Sequence, residues 1–269
     1  MTDPSLPHRI HLVGVGGAGM SPLAKLLTAR GHQVSGSDIR LSPTTQNLSD
    51  LGIDIWEGSN REAMTDVDLL VASSAVPDTD WEMIAAAEAG VVVWRRPELL
   101  NELTAMVPTI GVTGTHGKTT GAAMLVAASK GAGLDPSFVV GGELKDLGTD
   151  AHLGSDDLMV LEADEAFGTF THLKLRGLTV TNVESDHLDF YESLDRLEDT
   201  FTEVVRNVDG PVLVGIDDPG GRRLAERTGR TTYGTAGDAV WRLDGLVEGR
   251  SKVSFDLVGP SGSTPVVVG

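Results

Sequence analysis

The chain has 269 residues, 40% of them hydrophobic, enough for one large core or two of ordinary size. Asp and Glu number 39 against 21 Lys and Arg, and a formal net charge of −18 disfavours DNA or RNA as a partner. The absence of cysteine excludes disulfides and thiolate metal sites and fits a cytoplasmic setting; no apolar run approaches the roughly 20 residues of a membrane span, and Met1–Arg9 has no apolar stretch of the signal-peptide kind.

In chain order, Ile10–Val13 reads as an apolar strand entering a glycine loop. Pro22–Ala29 reads as a helix, with Ser21 as its N-cap and Pro22 at the first helical position. Val34–Gly36 predicts a second strand that closes on Asp38, Leu69–Ala72 a third and Val91–Trp94 a fourth. A helix at Trp81–Ala89 separates the last two, and a short helix at Glu98–Leu103 precedes a link at Ala105–Pro108. This is the βαβ rhythm of a doubly wound parallel sheet.

A second α/β unit begins at Thr109. Its expected strands are Thr109–Val112, Leu158–Leu161, Leu178–Thr181 and Val212–Val214, and its expected helices Lys118–Ser129, Leu194–Asn207 and Arg222–Arg227. Beyond Thr231 the pattern turns to short strands without helices, at Val240–Leu243, Lys252–Leu257 and Pro265–Val268. The expected fold is α/β: a Rossmann-like parallel-sheet domain over residues 1–106, then a P-loop-type α/β domain over 107–269. An apolar strand running to the final Gly269 leads us to expect that the second domain is incomplete; an edge strand that happens to come last is the alternative.

Two glycine loops carry the chemistry. The first, Gly14-Val15-Gly16-Gly17-Ala18-Gly19, fits G-x-G-x-x-G between a strand and a helix, with Asp38 at the end of the next strand. Physically this places a diphosphate on a helix N-terminus, and the diphosphate of NAD or of UDP would serve equally. In the second, strand Thr109–Val112 runs into Thr113-Gly114-Thr115-His116-Gly117-Lys118-Thr119-Thr120 and a helix. Loop amides and the helix dipole would cradle ATP phosphates, Lys118 would reach the β/γ-phosphates, and the Thr119 hydroxyl would sit on Mg²⁺. The general P-loop pattern would place a glycine at position 112, where this chain has Val112.

Two acidic clusters follow strands: Glu162-Ala163-Asp164-Glu165, and Asn182-Val183-Glu184-Ser185-Asp186-His187-Leu188-Asp189 after Thr181. Strand carboxyl ends converge on the ligand edge of a parallel sheet, so both clusters are expected on the side of the Lys118 loop. Oxygen ligands and Mg²⁺ there suit phosphoryl transfer.

Gly114-Thr115-His116-Gly117-Lys118-Thr119 resembles the loop of the Mur ligases and folylpolyglutamate synthases. Val13–Ser21, Val34–Asp38 and Ala72-Ser73-Ser74-Ala75-Val76 resemble the N-terminal domain of the alanine-adding branch of the Mur ligases, and Glu162–Glu165 and Thr181–Asp189 resemble motifs of its central domain. The resemblance implies an ATP-dependent ligase that joins L-alanine to UDP-N-acetylmuramate through an acyl phosphate, in peptidoglycan precursor synthesis. It implies that Gly14, Gly16, Gly17, Ala18, Gly19, Met20, Asp38, Ser73 and Ser74 hold the UDP-sugar, and that Gly114 to Thr120, namely Gly114, Thr115, His116, Gly117, Lys118, Thr119 and Thr120, hold ATP. Lys118, Glu162 and His187 would be catalytic, and Thr119, Glu162 and His187 would hold Mg²⁺; Asn182 belongs to the motif without an assigned role.

The chain departs from the family pattern at Ala166-Phe167, where Ser-Asp is usual, and around Trp94–Leu100, which leaves Arg96 without a role. The family's later Gly-Lys-His-Asn segment and C-terminal domain are missing from this sequence. No lysine lies between His187 and Lys252, which favours the alanine-adding branch over relatives with a modified lysine. Alternatives are the ligase that attaches a tripeptide to the same nucleotide, a non-catalytic nucleotide-binding fragment and, from another class, an NAD-dependent oxidoreductase. A dehydrogenase has no use for the γ-phosphate site at Lys118.

Overall fold

The structure, a computed structural model, describes residues 6–60, 64 and 66–269, so the first five residues of the N-terminal stretch lie outside it. In chain order the elements are β1 (Arg9–Val13), α1 (Ser21–Ala29), β2 (Gln33–Asp38), α2 (Pro43–Asp50), β3 (Asp54–Glu57), β4 (Leu69–Ala72), α3 (Trp81–Glu88), β5 (Val92–Arg95) and α4 (Arg96–Met106). There follow β6 (Thr109–Thr113), α5 (Lys118–Gly131), β7 (Ser137–Leu144), β8 (Thr149–His152), β9 (Met159–Glu162), a 3-10 segment at Ala166–His172, β10 (Leu175–Val180), α6 (Leu188–Tyr191) and α7 (Leu194–Asn207). The last are β11 (Val212–Gly215), α8 (Pro219–Thr228), β12 (Thr231–Gly234), β13 (Trp241–Glu248), β14 (Val253–Gly259) and β15 (Gly262–Val268). The chain divides into two compact units, one of residues up to Pro108 together with Ala122–Glu162, the other of Thr109–Gly121 together with Ala163–Gly269.

The first unit carries a parallel sheet ordered β3-β2-β1-β4-β5. β1 is central, with Ile10 opposite Val34 on one side and Leu69 on the other. Its last four residues and all of β4 are buried, because helices cover both faces of such a sheet and the strands become continuous apolar runs. Strand order reverses between β1 and β4, the switch point at which open α/β sheets bind ligands. The N-cap of α1 is Met20 and not Ser21, which is a buried residue inside the helix. The turn before it is already helical, since the Met20 and Ser21 amides both donate to Gly17 O at 2.9 Å.

α2 and β3 have no counterpart in the sequence reading. α2 buries only Thr45 and Leu48, so it shows little apolar periodicity; Ser42 and Thr45 start it by a reciprocal capping box. β3 is a half-buried edge strand, Asp-Ile-Trp-Glu. In the same unit β7 pairs antiparallel with β8 and parallel with β9. The Gly141-Gly142 step inside β7 and the polar Thr-Asp-Ala-His of β8 hide both strands from a pattern search. α1 packs on β7 and β8, and Lys25 Nζ meets Asp150 Oδ1 at 2.7 Å.

In the second unit the strands run β15-β14-β13-β12-β11-β10-β6. Pairing is parallel from β6 through β10, β11 and β12 to β13, then antiparallel through β14 and β15. Its core is built from Leu178, Val180 and Val214 of the sheet and from the buried face of α7, Leu197, Phe201, Val204 and Val205. Phe170 of the 3-10 segment closes it edge-on to Phe201, with ring centroids 5.0 Å apart. Val180 of β10 stands opposite Thr113 of β6, so the segments that follow these strands leave from the same carboxyl edge. Among the described residues no helix is long and apolar enough to cross a membrane.

Candidate active site

The first glycine loop is held by the end of β2. Gly14 and Val15 amides donate to Ser37 O at 2.9 and 3.0 Å, and the Gly16 amide donates to Asp38 Oδ2 at 2.8 Å. Gly14 has φ +76, and a side chain there would lie 3.1 Å from Ser73 Cβ. At Gly16 an added Cβ would fall 2.9 Å from Asp38 Oδ2, and at Gly19 only 2.8 Å from Arg96 Cζ. Gly14 is favoured by its positive φ and Gly16 by the close approach of Asp38 and Thr45, while Arg96, which the sequence left without a role, packs its guanidinium against Gly19.

Beside this loop lies a cavity of about 290 Å³, whose lining includes Gly14, Gly17, Asp38 and Ser73 together with Ile39 and Glu82. Four of the expected UDP-sugar residues are thus brought together. Ala18 is exposed on the loop, and Met20 is 1% exposed with its amide and carbonyl used by Gly17 and Ala24. Arg95 shapes the wall by donating to Ser73 O at 3.2 Å and Val76 O at 2.6 Å and by pairing with Asp78.

The floor holds a buried carboxylate that sequence reasoning missed. Glu82 is 1% exposed; it accepts the Ser37 hydroxyl and, at 2.7 Å, the Asn60 amide, and His11 Nε2 lies 3.5 Å away. Burial alone would raise its carboxyl, but the contacts with His11, Ser37 and Asn60 outweigh burial and hold it below the ordinary value. Its place on the inner face of α3 is that of a core residue, so sequence periodicity offers no signal for it.

In the second unit the Lys118 loop is clamped by residues after β10. Asn182 Oδ1 accepts the His116 amide at 2.9 Å while its Nδ2 donates to His116 O at 2.9 Å. The Thr181 hydroxyl contacts His116 O at 2.6 Å and Thr113 O at 3.1 Å, and Thr115 Oγ1 accepts the Glu184 amide at 2.8 Å. Asn182, which the motif left without a role, thus fixes the backbone of the loop. Gly114 and Gly117 have φ +126 and +80, conformations that glycine adopts without strain. Thr119 is half-buried and Thr120 exposed at the start of α5.

Lys118 folds back on its own loop. Its Nζ donates to Gly114 O at 2.8 Å and Thr115 O at 3.2 Å and meets Glu165 Oε2 at 2.9 Å. Glu165 is buried, and burial raises its carboxyl above the ordinary value although the Lys118 hydrogen bond opposes this. His187 Nε2 stands 3.8 Å from Glu165 Oε1, and the buried Tyr191 hydroxyl donates to Glu165 O. His187 itself has φ +50 and Phe167 has φ +55, and such strained positions gather at functional sites.

Asp164, Glu165 and His187 bring ligand atoms within 4.8 Å of one another, a carboxylate-rich donor set that fits a hard divalent cation. Of the expected metal residues His187 belongs to this cluster. Glu162 stands outside it at the end of β9, where it accepts the Gly141 amide at 2.6 Å. Glu165 lies in the first acidic cluster of the sequence, and the family resemblance gave it no part to play.

Residues 9–107 match the Mur ligase family, catalytic domain, and residues 112–267 the Mur ligase middle domain. The chain is 39% identical over 259 residues to the UDP-N-acetylmuramate–L-alanine ligase of Thermobifida fusca, covering 94% of this chain and 55% of that protein. It is 40% identical over 243 residues to the enzyme of the same name from Solidesulfovibrio magneticus, covering 89% and 53%. The chain therefore spans about half the length of these curated relatives. Among solved structures, the UDP-N-acetylmuramate–alanine ligase of Thermotoga maritima superposes with a TM-score of 0.85 at 28% identity, over 97% of this chain and 60% of that one. The UDP-N-acetylmuramate:L-alanyl-γ-D-glutamyl-meso-diaminopimelate ligase of Neisseria meningitides follows at 0.83 and 26%, over 97% and 87%.

Proposed function

The chain belongs to the Mur ligase family, and from that premise we propose that it is the UDP-sugar- and ATP-binding part of an ATP-dependent ligase that joins L-alanine to UDP-N-acetylmuramate in peptidoglycan precursor synthesis. The reading rests on one observation above all: two separate glycine loops, one beside a cavity of about 290 Å³ and one that ends in a lysine at the start of a helix, folded over the loop. The names of the Thermobifida and Solidesulfovibrio relatives support the substrate assignment. Family membership sets aside the oxidoreductase alternative. We keep 1–106 and 107–269 as the proposed domain division.

In the proposed reaction the lactyl carboxylate of the UDP-sugar attacks the γ-phosphorus of ATP. ADP leaves and an acyl phosphate forms. The amine of L-alanine attacks the acyl carbon, and the C–O bond to phosphate breaks to give the amide, inorganic phosphate and a proton. A carboxylate resists amines, and phosphorylation supplies the leaving group it lacks. Lys118 would neutralise charge on the transferring phosphoryl oxygens, while Asn182 and Thr181 hold the loop backbone at His116 in place beside it. Thr119, Glu162 and His187, the ligands that the family resemblance assigns, would hold Mg²⁺, which would supply positive charge against the developing negative charge of the transfer.

A second reading, attachment of a tripeptide to the same nucleotide, is kept because the Neisseria ligase is also close in fold and Ala166-Phe167 departs from the alanine-adding pattern. The test is calorimetry with UDP-N-acetylmuramate, ATP and NADH. Binding of the first two at distinct sites and none of NADH is expected; tight NADH binding without UDP-sugar binding would sink the proposal.

A further inference from the structure

Glu165 is placed where a phosphate-binding lysine is needed, and nothing in the reaction above uses it. Its carboxylate is 1% exposed; the Lys118 ammonium faces it at 2.9 Å and the His187 ring at 3.8 Å. Lys118 has three ammonium protons, and its contacts with Gly114 O, Thr115 O and Glu165 can occupy all of them. A phosphate oxygen can be bound only if one of these contacts is released. The two carbonyls are neutral and belong to the loop that encloses the phosphate. The carboxylate is the charged competitor, and it comes from a segment 47 residues away. A carboxylate so buried needs a partner, because a lone charge out of water is costly.

We propose that Glu165 is a positioning residue that holds Lys118 in its rest state and competes with nucleotide phosphate for the lysine's charge. It acts through Lys118 and needs no contact with substrate. Its backbone is in turn fixed by the Tyr191 hydroxyl on Glu165 O, and the Gly168 amide donates to the same carbonyl at 3.0 Å, so the carboxylate is presented from a braced turn. When phosphate draws Lys118 away, Glu165 is left facing His187. The inference rests on reading the Lys118 loop as the ATP site.

The test is a double-mutant cycle on the 269-residue chain with Glu165→Gln, Lys118→Met and the pair, each checked for folding by circular dichroism. Two quantities are measured. The first is ATP affinity, both with magnesium and with the metal chelated. Glu165→Gln should tighten ATP by about tenfold in both conditions, and by less than about threefold when Lys118 is already Met. The second is the melting temperature without nucleotide. Lys118→Met should lower it by orphaning the buried acid, and adding Glu165→Gln should restore part of the loss. Weaker or unchanged ATP binding in Glu165→Gln overturns the proposal, as do tightening seen only with magnesium, equal tightening in the Lys118→Met background, and melting temperatures that simply add. If Glu165→Gln fails to fold, Glu165→Asp, which keeps the charge on a shorter stem, should tighten ATP less than Gln is expected to, and a loss of ATP binding by it overturns the proposal equally. A wild-type chain that binds no ATP in either condition overturns the ATP-site reading itself, whereas a wild type that binds ATP without Lys118-dependent coupling overturns Glu165 alone.

Discussion

Replacing Gly114 by alanine tests the phosphate cradle at its tightest point. The residue has φ +126, where L side chains are rarely found, and an added Cβ would stand 2.2 Å from Thr181 Oγ1 and 2.8 Å from Asn182 O. Thr181 cannot turn aside without losing its contacts with His116 O and Thr113 O, and the Asn182 backbone cannot retreat without pulling on the paired bonds to His116. Two hydrogen bonds at about 1 kcal/mol each and backbone strain of about 1–3 kcal/mol make roughly 3–5 kcal/mol against the native loop. The loop should therefore leave its present path while strands β6 and β10 survive. At about 1.4 kcal/mol per tenfold, ATP affinity should fall at least ~100-fold. Calorimetry of ATP and of UDP-N-acetylmuramate on one preparation, with circular dichroism as the fold control, reads both sites together. UDP-sugar affinity should be unchanged, since the cavity proposed for it lies beside the other glycine loop. An alanine variant that binds ATP within about threefold of wild type would show that the loop geometry does not carry nucleotide binding.

Two other outcomes follow from the contacts described. Lys118→Ala should weaken ATP by roughly 30-fold or more through loss of a charge-assisted phosphate contact and leave UDP-sugar affinity intact; parallel loss at both sites would mean that the variant is misfolded. For Glu82 the sign follows from a carboxyl held below its ordinary value of 4.5. Its contribution to stability is fully present above 4.5 and is lost as pH falls through its lowered folded value. On acidification from neutral pH the melting temperature of wild type should then fall more steeply than that of Glu82→Gln in the window below 4.5, and parallel curves there would refute the coupling.

The residues themselves declare a good deal of this protein. Leu69–Ala72 is a strand because four successive apolar residues suit a sheet covered on both faces, and Leu194–Asn207 is a helix because its apolar residues recur on one face. Gly14, Gly114 and Gly117 announce loops that only glycine can follow, and Lys118-Thr119 ahead of a helix announces phosphate. Such signals are local, written in periodicity and in backbone freedom over a few neighbours. Strands with weak periodicity escape them, as β3, β7, β8 and β12 do, because their place is secured by the strands beside them. The working details of the site are equally non-local. Asn182 clasps a backbone 66 residues away, Glu165 meets Lys118 across 47, and Ser37 reaches Glu82 across 45. No spacing along the chain encodes these pairs. They exist because β6 and β10 lie side by side in parallel register and deliver their loops to one edge, and because α3 is packed under the end of β2. Sequence alone marks two glycine loops of the kind that suits phosphate; the order of the strands decides which carboxylate holds the lysine and which amide holds the loop.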